Sequence, residues 1–487
     1  MPHIRAAASQ ASRCVAAASA PVDFASMQFD MPDIDGDMTS IQVEMGAVFN
    51  DAGRATTFKN PGAVLQAVET GVALVDRCHM GRLRITGPGR VAFAQQQFTS
   101  DVAAVKAGHG FETLLLNPDG SMLDLVTVIV GQSHLMVMVS AETKDQVAER
   151  FARYVLPGDG VQVMDISGRC MVISLIGPEA AAIIGELGGA SISIVDSPSG
   201  PTQHQMLAFN SSAPVILSSG SGLAAPGYTL IVDESAAGEA YEMLAARGCM
   251  PMGDDEWHDA RVVNGRPAPG AELAPGYSPW EAGLQHLVSM DKGHFIGRDA
   301  LEPTLPSPSS SGAGSSSSSS SKPTVSRQLR GLSFTVPVSV GAPITSALTV
   351  VGSVTSVGQD MEGRWVGLGY VRCRTAAGEE LQLDGMSVAV AGYPASIRPI
   401  PFITHSTTSV SGNGNSSAVQ SATSVSSQDA GAGSSGAEAG SNTGERQLNP
   451  WKLVVDREIG GVVPRVARVI DVAAIQAHAR SEPGASE

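Results

Sequence analysis

The chain has 487 residues, enough for two or three domains with a sizeable buried core. Its net charge is −16 and it contains no cluster of Lys and Arg, which argues against nucleic acid as a partner. No uninterrupted apolar segment reaches the roughly 18–20 residues that a membrane span requires, so we expect a soluble protein without a membrane partner. None of the five cysteines forms a C-x-x-C pair, which disfavours a structural zinc site or a cysteine-held iron–sulfur cluster.

Residues 1–45 are predicted to form a disordered leader. This segment contains Arg5 and Arg13, is rich in Ala and Ser, and has no acidic residue before Asp23. That composition is typical of an organelle transit peptide and lacks the apolar region of a secretory signal. We therefore expect a chloroplast protein, with the mitochondrion as the alternative; a leader that carries no address stays open.

Residues 46–302 show the mixed periodicity of a domain built from helices and antiparallel strands. The predicted elements are, in chain order, a helix over 60–76, a strand over 81–89, a helix over 91–105, a hairpin over 112–131, a strand over 134–140, a helix over 144–156 and a strand–turn–helix unit over 169–188. The sequence Asn-Pro-Asp-Gly at the centre of the hairpin is typical of a turn. This order of elements predicts an α+β fold.

The remainder of the chain alternates between low-complexity sequence and one small predicted domain. Residues 303–326 form a Ser-rich insert, and residues 405–447 form a second Ser/Gly/Ala tract that we predict to be disordered. Between them, residues 327–404 carry short alternating runs with glycine turns roughly every 8–12 residues, which predicts a small antiparallel β-barrel. No function is predicted for residues 448–487.

Several motifs in fixed order resemble a known family. They are "MGRLRITG", "FAQQQFTSD", "NGRPAPGAEL", "SPWEAGL", "VSMDKG" and, in the predicted barrel, "GLGY". Together they resemble the folate-binding superfamily of the glycine cleavage T-protein. The nearest branch within it is the YgfZ type, which is linked to iron–sulfur protein maintenance and has plastid members in plants. The resemblance covers residues 58–402 apart from the Ser-rich insert, and it implies two α+β modules arranged as a ring with a small C-terminal β-barrel.

The segment "KGHFIGRD", residues 292–299, departs from the YgfZ pattern K-G-C-Y-x-G-Q-E. His294 stands where that branch has a cysteine, and an imidazole cannot act as a thiolate nucleophile. The end of the segment, "FIGRDAL", is instead similar to the T-protein sequence F-I-G-R-x-A-L. The resemblance implies catalytic roles for Lys292 and His294, and ligand contacts for Lys292, Gly293, Gly297 and Arg298. An ordinary surface turn would explain the glycines equally well.

The resemblance also implies ligand contacts outside this segment. Asp124, in "GSMLDLV", is the one acid kept from a T-protein pair, so it is expected to bind the pterin ring and assist catalysis, or else to satisfy the backbone of the hairpin. Arg261 is expected to bind a folate carboxylate, unless it is an exposed helix residue. Gln97 is expected to contact the cofactor or to have a helix-capping or packing role, and Arg266 is expected to be solvated.

One departure bears on catalysis. The segment "GLAAPGYTLIVD" has Ala224, Ala225 and Pro226 where the T-protein carries acidic residues, so the expected ligand carboxylate is missing. The loss of such a contact weakens positioning as well as binding.

These observations leave three functional hypotheses. The first is a tetrahydrofolate-binding organellar protein that assists the assembly or repair of iron–sulfur proteins, with these proteins as partners. The second is a tetrahydrofolate-dependent aminomethyltransferase or other one-carbon transferase. The third is a degenerate scaffold that binds folate without catalysis. All three place a reduced folate in a shared cavity with Asp124 and Arg261 on one wall and residues 292–298 on the opposite wall, and none requires a metal.

Overall fold

The computed structural model describes residues 37–187, 202–208, 214–304 and 325–403. Its α-helices are α1 (Asp37–Glu44), α2 (Pro61–Thr70), α3 (Arg90–Gln97), α4 (Lys144–Tyr154), α5 (Ala180–Glu186), α6 (Glu234–Ala246), α7 (Asp254–Val263) and α8 (Arg298–Leu301). Short 3-10 helices cover Val102–Ala104, Gln285–Leu287, Met290–Lys292 and Glu302–Thr304. None of the helices in these ranges is long and apolar enough to cross a membrane.

The strands belong to a small pair, a large sheet and a barrel. The pair is β1 (Val48–Phe49) and β2 (Ala55–Thr57). The sheet strands are β3 (Ala73–Asp76), β4 (Gly81–Thr86), β5 (His109–Leu116), β6 (Met122–Val130), β7 (His134–Val139), β8 (Gln162–Asp165), β9 (Cys170–Ile176), β10 (Thr202–Ala208), β11 (Pro214–Ser219), β12 (Gly227–Asp233) and β13 (Met250–Met252). The barrel strands are β14 (Arg327–Phe334), β15 (Pro343–Ser346), β16 (Thr349–Gln359), β17 (Trp365–Arg372), β18 (Ser387–Val390) and β19 (Tyr393–Arg398).

The large sheet joins two modules edge to edge. Its order is β13-β3-β9-β12-β11-β10-β5-β6-β7-β4-β8, and every pairing except β13 with β3 is antiparallel. The modules meet where β10 pairs with β5, with Thr202 opposite Gly110 and Gln203 opposite His109. An antiparallel sheet combined with helices is the α+β class that the sequence predicts, and this prediction is confirmed.

Each module buries its own hydrophobic core between helices and sheet. In one module α6 packs Tyr241 and Leu244 onto Leu74 and Leu230. In the other module Phe151 of α4 makes edge-to-face contacts with Phe93 and Phe98, at ring-centroid distances of 5.5 and 6.0 Å. Edge-to-face pairs of this kind add to the stabilisation that burial alone provides.

The predicted barrel is confirmed as six antiparallel strands that close through the pairing of β14 with β19. Its interior contains Leu332, Ile344 and Val390, all fully buried. On the outer side of the barrel, the ring of Tyr370 stacks on that of Tyr277, with the ring centroids 3.8 Å apart. The Tyr370 hydroxyl donates to the Glu272 carbonyl at 2.9 Å. These contacts fix the barrel against the modules.

The structure corrects two predicted helices. Residues 60–76 form α2 only as far as Thr70 and then enter the strand β3, whose first three residues are buried. A strand buried on both faces does not alternate, so its apolar run is indistinguishable from helical spacing. Residues 91–105 likewise leave the helix at Gln97, and Phe98 is extended.

The predicted leader also ends too late. Helix α1 lies within residues 1–45, and its Met38 packs into the hydrophobic core that contains Tyr241 and Leu244. The predictions for residues 405–447 and 448–487, and most of the predicted insert 303–326, lie outside the described residues.

Candidate functional site

A cavity of about 330 Å³ lies between the two modules and helix α7. Its wall is formed by the turn that follows β3, the start of β6, residues 140–142, helix α7 and residues 266–273. Four arginines face it, namely Arg54, Arg77, Arg261 and Arg266. A wall with this many guanidinium groups favours a ligand that carries negative charge or several hydrogen-bond acceptors.

Three of the four arginines are already paired with carboxylates. The pairs are Arg54 with Asp254 at 2.6 Å, Arg261 with Glu272 at 3.2 Å and Arg266 with Glu112 at 2.8 Å. Each pair neutralises its charge within the wall. These three guanidinium groups therefore line the cavity as neutralised pairs and attract an anion only weakly.

Arg77 is the exception. Its side chain is only 6% exposed, and no carboxylate of the described residues lies within ion-pair distance of it. The guanidinium donates one hydrogen bond, from Nη1 to the Ser221 carbonyl at 3.2 Å, and lies 4.7 Å from the centroid of the Trp257 ring. Burial, followed by the charge of Arg266, lowers the pKa of Arg77 to about 9, which still leaves it protonated at neutral pH.

Gly222 provides the space for this guanidinium. A Cβ atom at position 222 would lie 1.8 Å from Nη1 of Arg77. The backbone of Gly222 has φ +83°, a conformation that side chains other than glycine rarely adopt. The position of Arg77 therefore depends on a glycine that is 145 residues away in the chain.

The turn that presents Arg77 is held by a second buried arginine. Arg82 donates from Nη1 to the carbonyls of Cys78 and Met80, both at 2.6 Å, and from Nη2 to Cys170 at 2.7 Å. These bonds fix the backbone on both sides of His79. Burial, reinforced by the charge of Arg54 and then of Arg77, lowers the pKa of His79 to about 3, so its imidazole is neutral at pH 7.

Helix α7 contributes Asp254, Trp257 and His258 to the cavity. Nε2 of His258 is hydrogen-bonded to the Val357 carbonyl at 2.9 Å and therefore carries the proton. Burial, followed by the charge of Arg261, lowers the pKa of His258. Asp254 uses Oδ1 to accept from Arg54, while its Oδ2 accepts no hydrogen bond from the described residues, so Asp254 offers an acceptor to a ligand.

Asp124 lies at the cavity, as the sequence predicts, but its carboxylate is saturated. Oδ1 accepts from the Leu125 amide at 2.8 Å and the Ser140 hydroxyl at 2.7 Å. Oδ2 accepts from the Ser140 amide at 2.9 Å and the Thr143 hydroxyl at 2.6 Å. Burial raises the pKa of Asp124 in spite of these four bonds. Three of these bonds come from Ser140 and Thr143, which follow β7, and the fourth comes from the Leu125 amide within the predicted hairpin over 112–131, so the carboxylate satisfies the backbone of that hairpin only in part.

Arg261 also lines the cavity, yet its donors are engaged. Nη1 pairs with Glu272 and Nη2 donates to the Ser356 hydroxyl at 2.8 Å. The residue is buried in α7, so it is not the exposed helix arginine of the alternative prediction. Its geometry joins the helix to the barrel and leaves little capacity for a folate carboxylate.

Residues 292–298, which the sequence predicts on the opposite wall, do not line this cavity. Nζ of Lys292 donates to the carbonyls of Gln95 and Ser100, both at 2.8 Å, and to that of Phe98. Burial lowers the pKa of Lys292 to about 8. The ammonium group thus caps the carboxyl end of α3, where a positive charge is favourable.

The other predicted residues of this segment have separate environments. The His294 side chain is 68% exposed and lies 3.8 Å from Asp299. Arg298 donates to the Met290 carbonyl at 3.2 Å. Gly293 has open space around it, whereas a Cβ at Gly297 would lie 2.7 Å from the Asn117 carbonyl oxygen. Close packing against the hairpin turn therefore accounts for Gly297 without a ligand.

Gln97 is buried beneath α4 and does not line the cavity. Its Oε1 accepts from Nε of Arg150 at 3.0 Å, which matches the packing alternative. Arg266, expected to be solvated, is instead paired with Glu112 and lines the cavity.

Sequence reasoning missed Arg54, Arg77, His79, Asp254 and Trp257. A signal existed for two of them, because "RCH" follows directly on the buried run "ALVD". Polar residues at the end of a buried strand are typical of a ligand-binding site. The apolar spacing of this run, however, predicts a helix over 60–76. Among the described residues no group of three His, Cys, Asp or Glu side chains could hold a metal ion.

Comparison with known proteins agrees with this architecture. A family model described as the GCVT N-terminal domain matches residues 35–292, more than half of the chain. A protein of Arabidopsis thaliana named as a chloroplastic transferase is 28% identical over 368 residues, which cover 75% of this chain and 79% of that protein. An aminomethyltransferase of Thermosynechococcus vestitus is 28% identical over 348 residues, which cover 69% of this chain and 86% of the relative.

A solved structure shows the same fold. The glycine cleavage system aminomethyltransferase T from Bartonella henselae aligns with a TM-score of 0.62 at 20% identity, covering 76% of this chain and 98% of that one. The chain therefore belongs to the GCVT family, the folate-binding superfamily of the glycine cleavage T-protein. The cofactor of this superfamily is tetrahydrofolate, as the sequence predicts.

The capping geometry of Lys292 predicts a structural effect of its removal. Lys292→Met should lower the free energy of unfolding by about 2–3 kcal/mol, because three carbonyls lose a charged donor. Tetrahydrofolate affinity should stay unchanged. Urea unfolding and calorimetric titration measure the two quantities, with Lys106→Met, at an exposed position, as the matched control. A stable Lys292→Met protein that no longer bound tetrahydrofolate would contradict this assignment.

The neutral state of His79 predicts a loss of stability in acid. The unfolded chain takes up a proton near the ordinary pKa of 6.5, whereas folded His79 does so only near pH 3. The unfolded state therefore binds more protons between these values, and stability falls as the pH drops below 6.5. The expected contribution is about 2 kcal/mol at pH 5.

Urea unfolding at pH 7.5 and pH 5 measures this loss. His79→Gln should remove that part of it, and His294→Gln, at an exposed position, should not. Equal pH dependence in wild-type protein and His79→Gln would show that His79 titrates normally in the folded state.

Proposed function

We propose that this protein binds a reduced folate in the arginine-rich cavity. The observation that carries the proposal is a cavity in which an unpaired guanidinium, an indole ring and a carboxylate oxygen without a hydrogen bond face the same space: Arg77, Trp257 and Oδ2 of Asp254. The volume of about 330 Å³ falls at the lower end of the ~300–1,000 Å³ typical of small-molecule sites.

The residues present fit the chemistry of a folate. A pterin ring offers adjacent N–H donors, and Asp254 is a carboxylate at this wall with an oxygen free to accept them. Nε of Arg54 is buried and has no hydrogen-bond partner among the described residues. Trp257 lines the same cavity, and its ring is in contact with the Arg77 guanidinium. Asp254 thereby takes the role that the sequence had given to Asp124.

The geometry supports binding more strongly than acid–base catalysis. A general base works best when its pKa lies near the operating pH. The pKa of His79 is lowered to about 3, and that of His258 is also lowered. Both imidazoles are therefore weak bases that serve as neutral hydrogen-bonding groups.

We further propose that the protein acts in the chloroplast as a folate-binding factor of the YgfZ type that helps to assemble or repair iron–sulfur proteins. The plastid name of the Arabidopsis thaliana relative supports the location, with the mitochondrion as the alternative. The motifs shared with the YgfZ type support the iron–sulfur role. A plastid line that lacks the protein should lose iron–sulfur enzyme activity, and a cavity variant that binds no folate should not restore it.

A one-carbon transferase is the second candidate. Its support is the names of the relatives, which describe a transferase and aminomethyltransferases. Formation of methylenetetrahydrofolate from an aminomethylated lipoyl carrier would establish this activity. Saturable tetrahydrofolate binding without that product would leave the binding function alone.

Folate binding itself is tested by two neighbouring acidic residues. Asp254→Asn should weaken tetrahydrofolate binding roughly tenfold or more, because the pterin donors lose a charged acceptor. Asp255→Asn, at an exposed position on the same helix, should bind like wild type. Anaerobic calorimetric titration of the full chain measures both affinities, and urea unfolding verifies that each variant is folded.

Two results would count against this assignment. Absence of saturable tetrahydrofolate binding by the wild-type chain would refute the folate function. Equal tetrahydrofolate affinity of Asp254→Asn and wild type would show that Asp254 does not contact the pterin ring. The cavity itself would then need a separate test as the folate site.

A further inference from the structure

We infer that Arg77 is a receptor for a carboxylate, so that the cavity selects a ligand whose carboxylate group binds this guanidinium. The inference rests on the proposed function, since it concerns the same cavity, and it adds a specificity-determining residue that the family motifs do not contain. It depends on Arg77, Gly222, Ser221 and Trp257.

The Arg77 guanidinium is a buried charge without a carboxylate partner among the described residues. A guanidinium that leaves water without a counter-charge is unfavourable, and buried charges in proteins are normally paired. Arg54, Arg261 and Arg266 follow this rule in the same wall. Arg77 is as buried as Arg261 but has one carbonyl acceptor and no carboxylate among the described residues. An anionic ligand group would supply the missing partner.

Two residues, Gly222 and Trp257, hold the Arg77 guanidinium in its position. Gly222 leaves room for Nη1 where any side chain would collide with it, and the Trp257 ring lies 4.7 Å from the guanidinium carbon. A long side chain without such support would swing toward solvent. Only Nη1 donates to the described residues, to the Ser221 carbonyl, so other N–H groups of Arg77 remain as donors for a ligand.

The geometry and the charge of the Arg77 guanidinium indicate which kind of anion it binds. Two parallel N–H groups of a guanidinium match the two oxygens of a carboxylate in one plane. A phosphate group carries about −1.5 to −2 charges at neutral pH. Among the residues that the structure describes, one guanidinium of this wall has no carboxylate partner, so a singly charged, planar carboxylate is the better match.

Two sources of the carboxylate are compatible with this chemistry. One is the glutamyl tail of a folate, and the other is a small carboxylic acid that binds beside the folate as a second substrate. The two sources differ in whether the acid and the folate compete for Arg77.

The experiment compares full-length wild type with Arg77→Met, which keeps side-chain length but removes the charge, and Arg77→Lys, which keeps the charge but loses the fork. Arg153→Met is the matched control, because Arg153 is an exposed arginine on α4 outside the cavity. Four probes are titrated anaerobically: tetrahydrofolate, 6-methyltetrahydropterin, which has no carboxylate, glutarate and inorganic phosphate. Urea unfolding measures the stability of each variant.

We expect Arg77→Met to lose glutarate binding while its affinity for 6-methyltetrahydropterin stays within about twofold of wild type. If the glutamyl tail is the source, glutarate competes with tetrahydrofolate, and Arg77→Met weakens tetrahydrofolate roughly 10- to 100-fold. If a second substrate is the source, glutarate binds together with tetrahydrofolate, whose affinity does not change. Arg77→Lys should show a smaller loss than Arg77→Met, because charge without the fork binds a carboxylate less well.

Gly222→Ala provides a test that retains Arg77. The added methyl group would displace Nη1, so this variant should lose carboxylate affinity as Arg77→Met does. It also serves if Arg77→Met fails to fold.

The inference is overturned if Arg77→Met binds both glutarate and tetrahydrofolate like wild type, if wild type binds neither, or if inorganic phosphate binds wild type more tightly than glutarate. Failure of the proposed function looks different. In that case wild type binds glutarate through Arg77 but binds neither tetrahydrofolate nor 6-methyltetrahydropterin.

Discussion

The buried ion pair between Arg261 and Glu272 determines much of this architecture. Glu272 is fully buried and also accepts from the Ala268 amide at 3.1 Å and from the hydroxyls of Thr355 and Ser356, both at 2.6 Å. One carboxylate thus joins helix α7, the segment that follows it and strand β16 of the barrel. Removal of one partner from such a network leaves an uncompensated buried charge, which costs about 3–5 kcal/mol. The helix that presents Asp254 and Trp257 to the cavity is fixed by this network.

The same network explains why the sequence predicts Arg261 at the cavity but not its hydrogen bond to the barrel. The position of Arg261 at the cavity follows from motifs that are local in the chain, and the hairpin around Asp124 follows from its turn residues. The use of the guanidinium depends on Ser356, which is 95 residues away. No local pattern encodes a contact at that separation. For the same reason Lys292, which belongs to a recognisable motif, was assigned to a ligand, whereas it caps a helix almost 200 residues earlier in the chain.

Some fully buried strands, such as β7, were predictable, and the predicted helices were wrong only where their apolar run continues into an extended segment. Helix α4 has one buried stripe, which includes Val147 and Phe151, and its extent is close to that predicted. Strand β3 is buried on both faces, so its apolar run continued the spacing of α2. This local error had a functional consequence. The end of an unrecognised strand hid the turn that carries Arg77 and His79 into the cavity.

The loop that begins at Gly222 combines the absence of acidic residues at positions 224–226 with close approach to the Arg77 cation. This loop has no carboxylate at positions 224–226, and Gly222 lies against the Arg77 guanidinium. An acidic side chain in the loop could have paired with Arg77 and neutralised it. With alanine and proline there instead, the positive charge of Arg77 remains available at the wall. A carboxylate held by Arg77 and N–H donors held by the free oxygen of Asp254 would orient an asymmetric ligand, because the two kinds of ligand group are attracted to different residues.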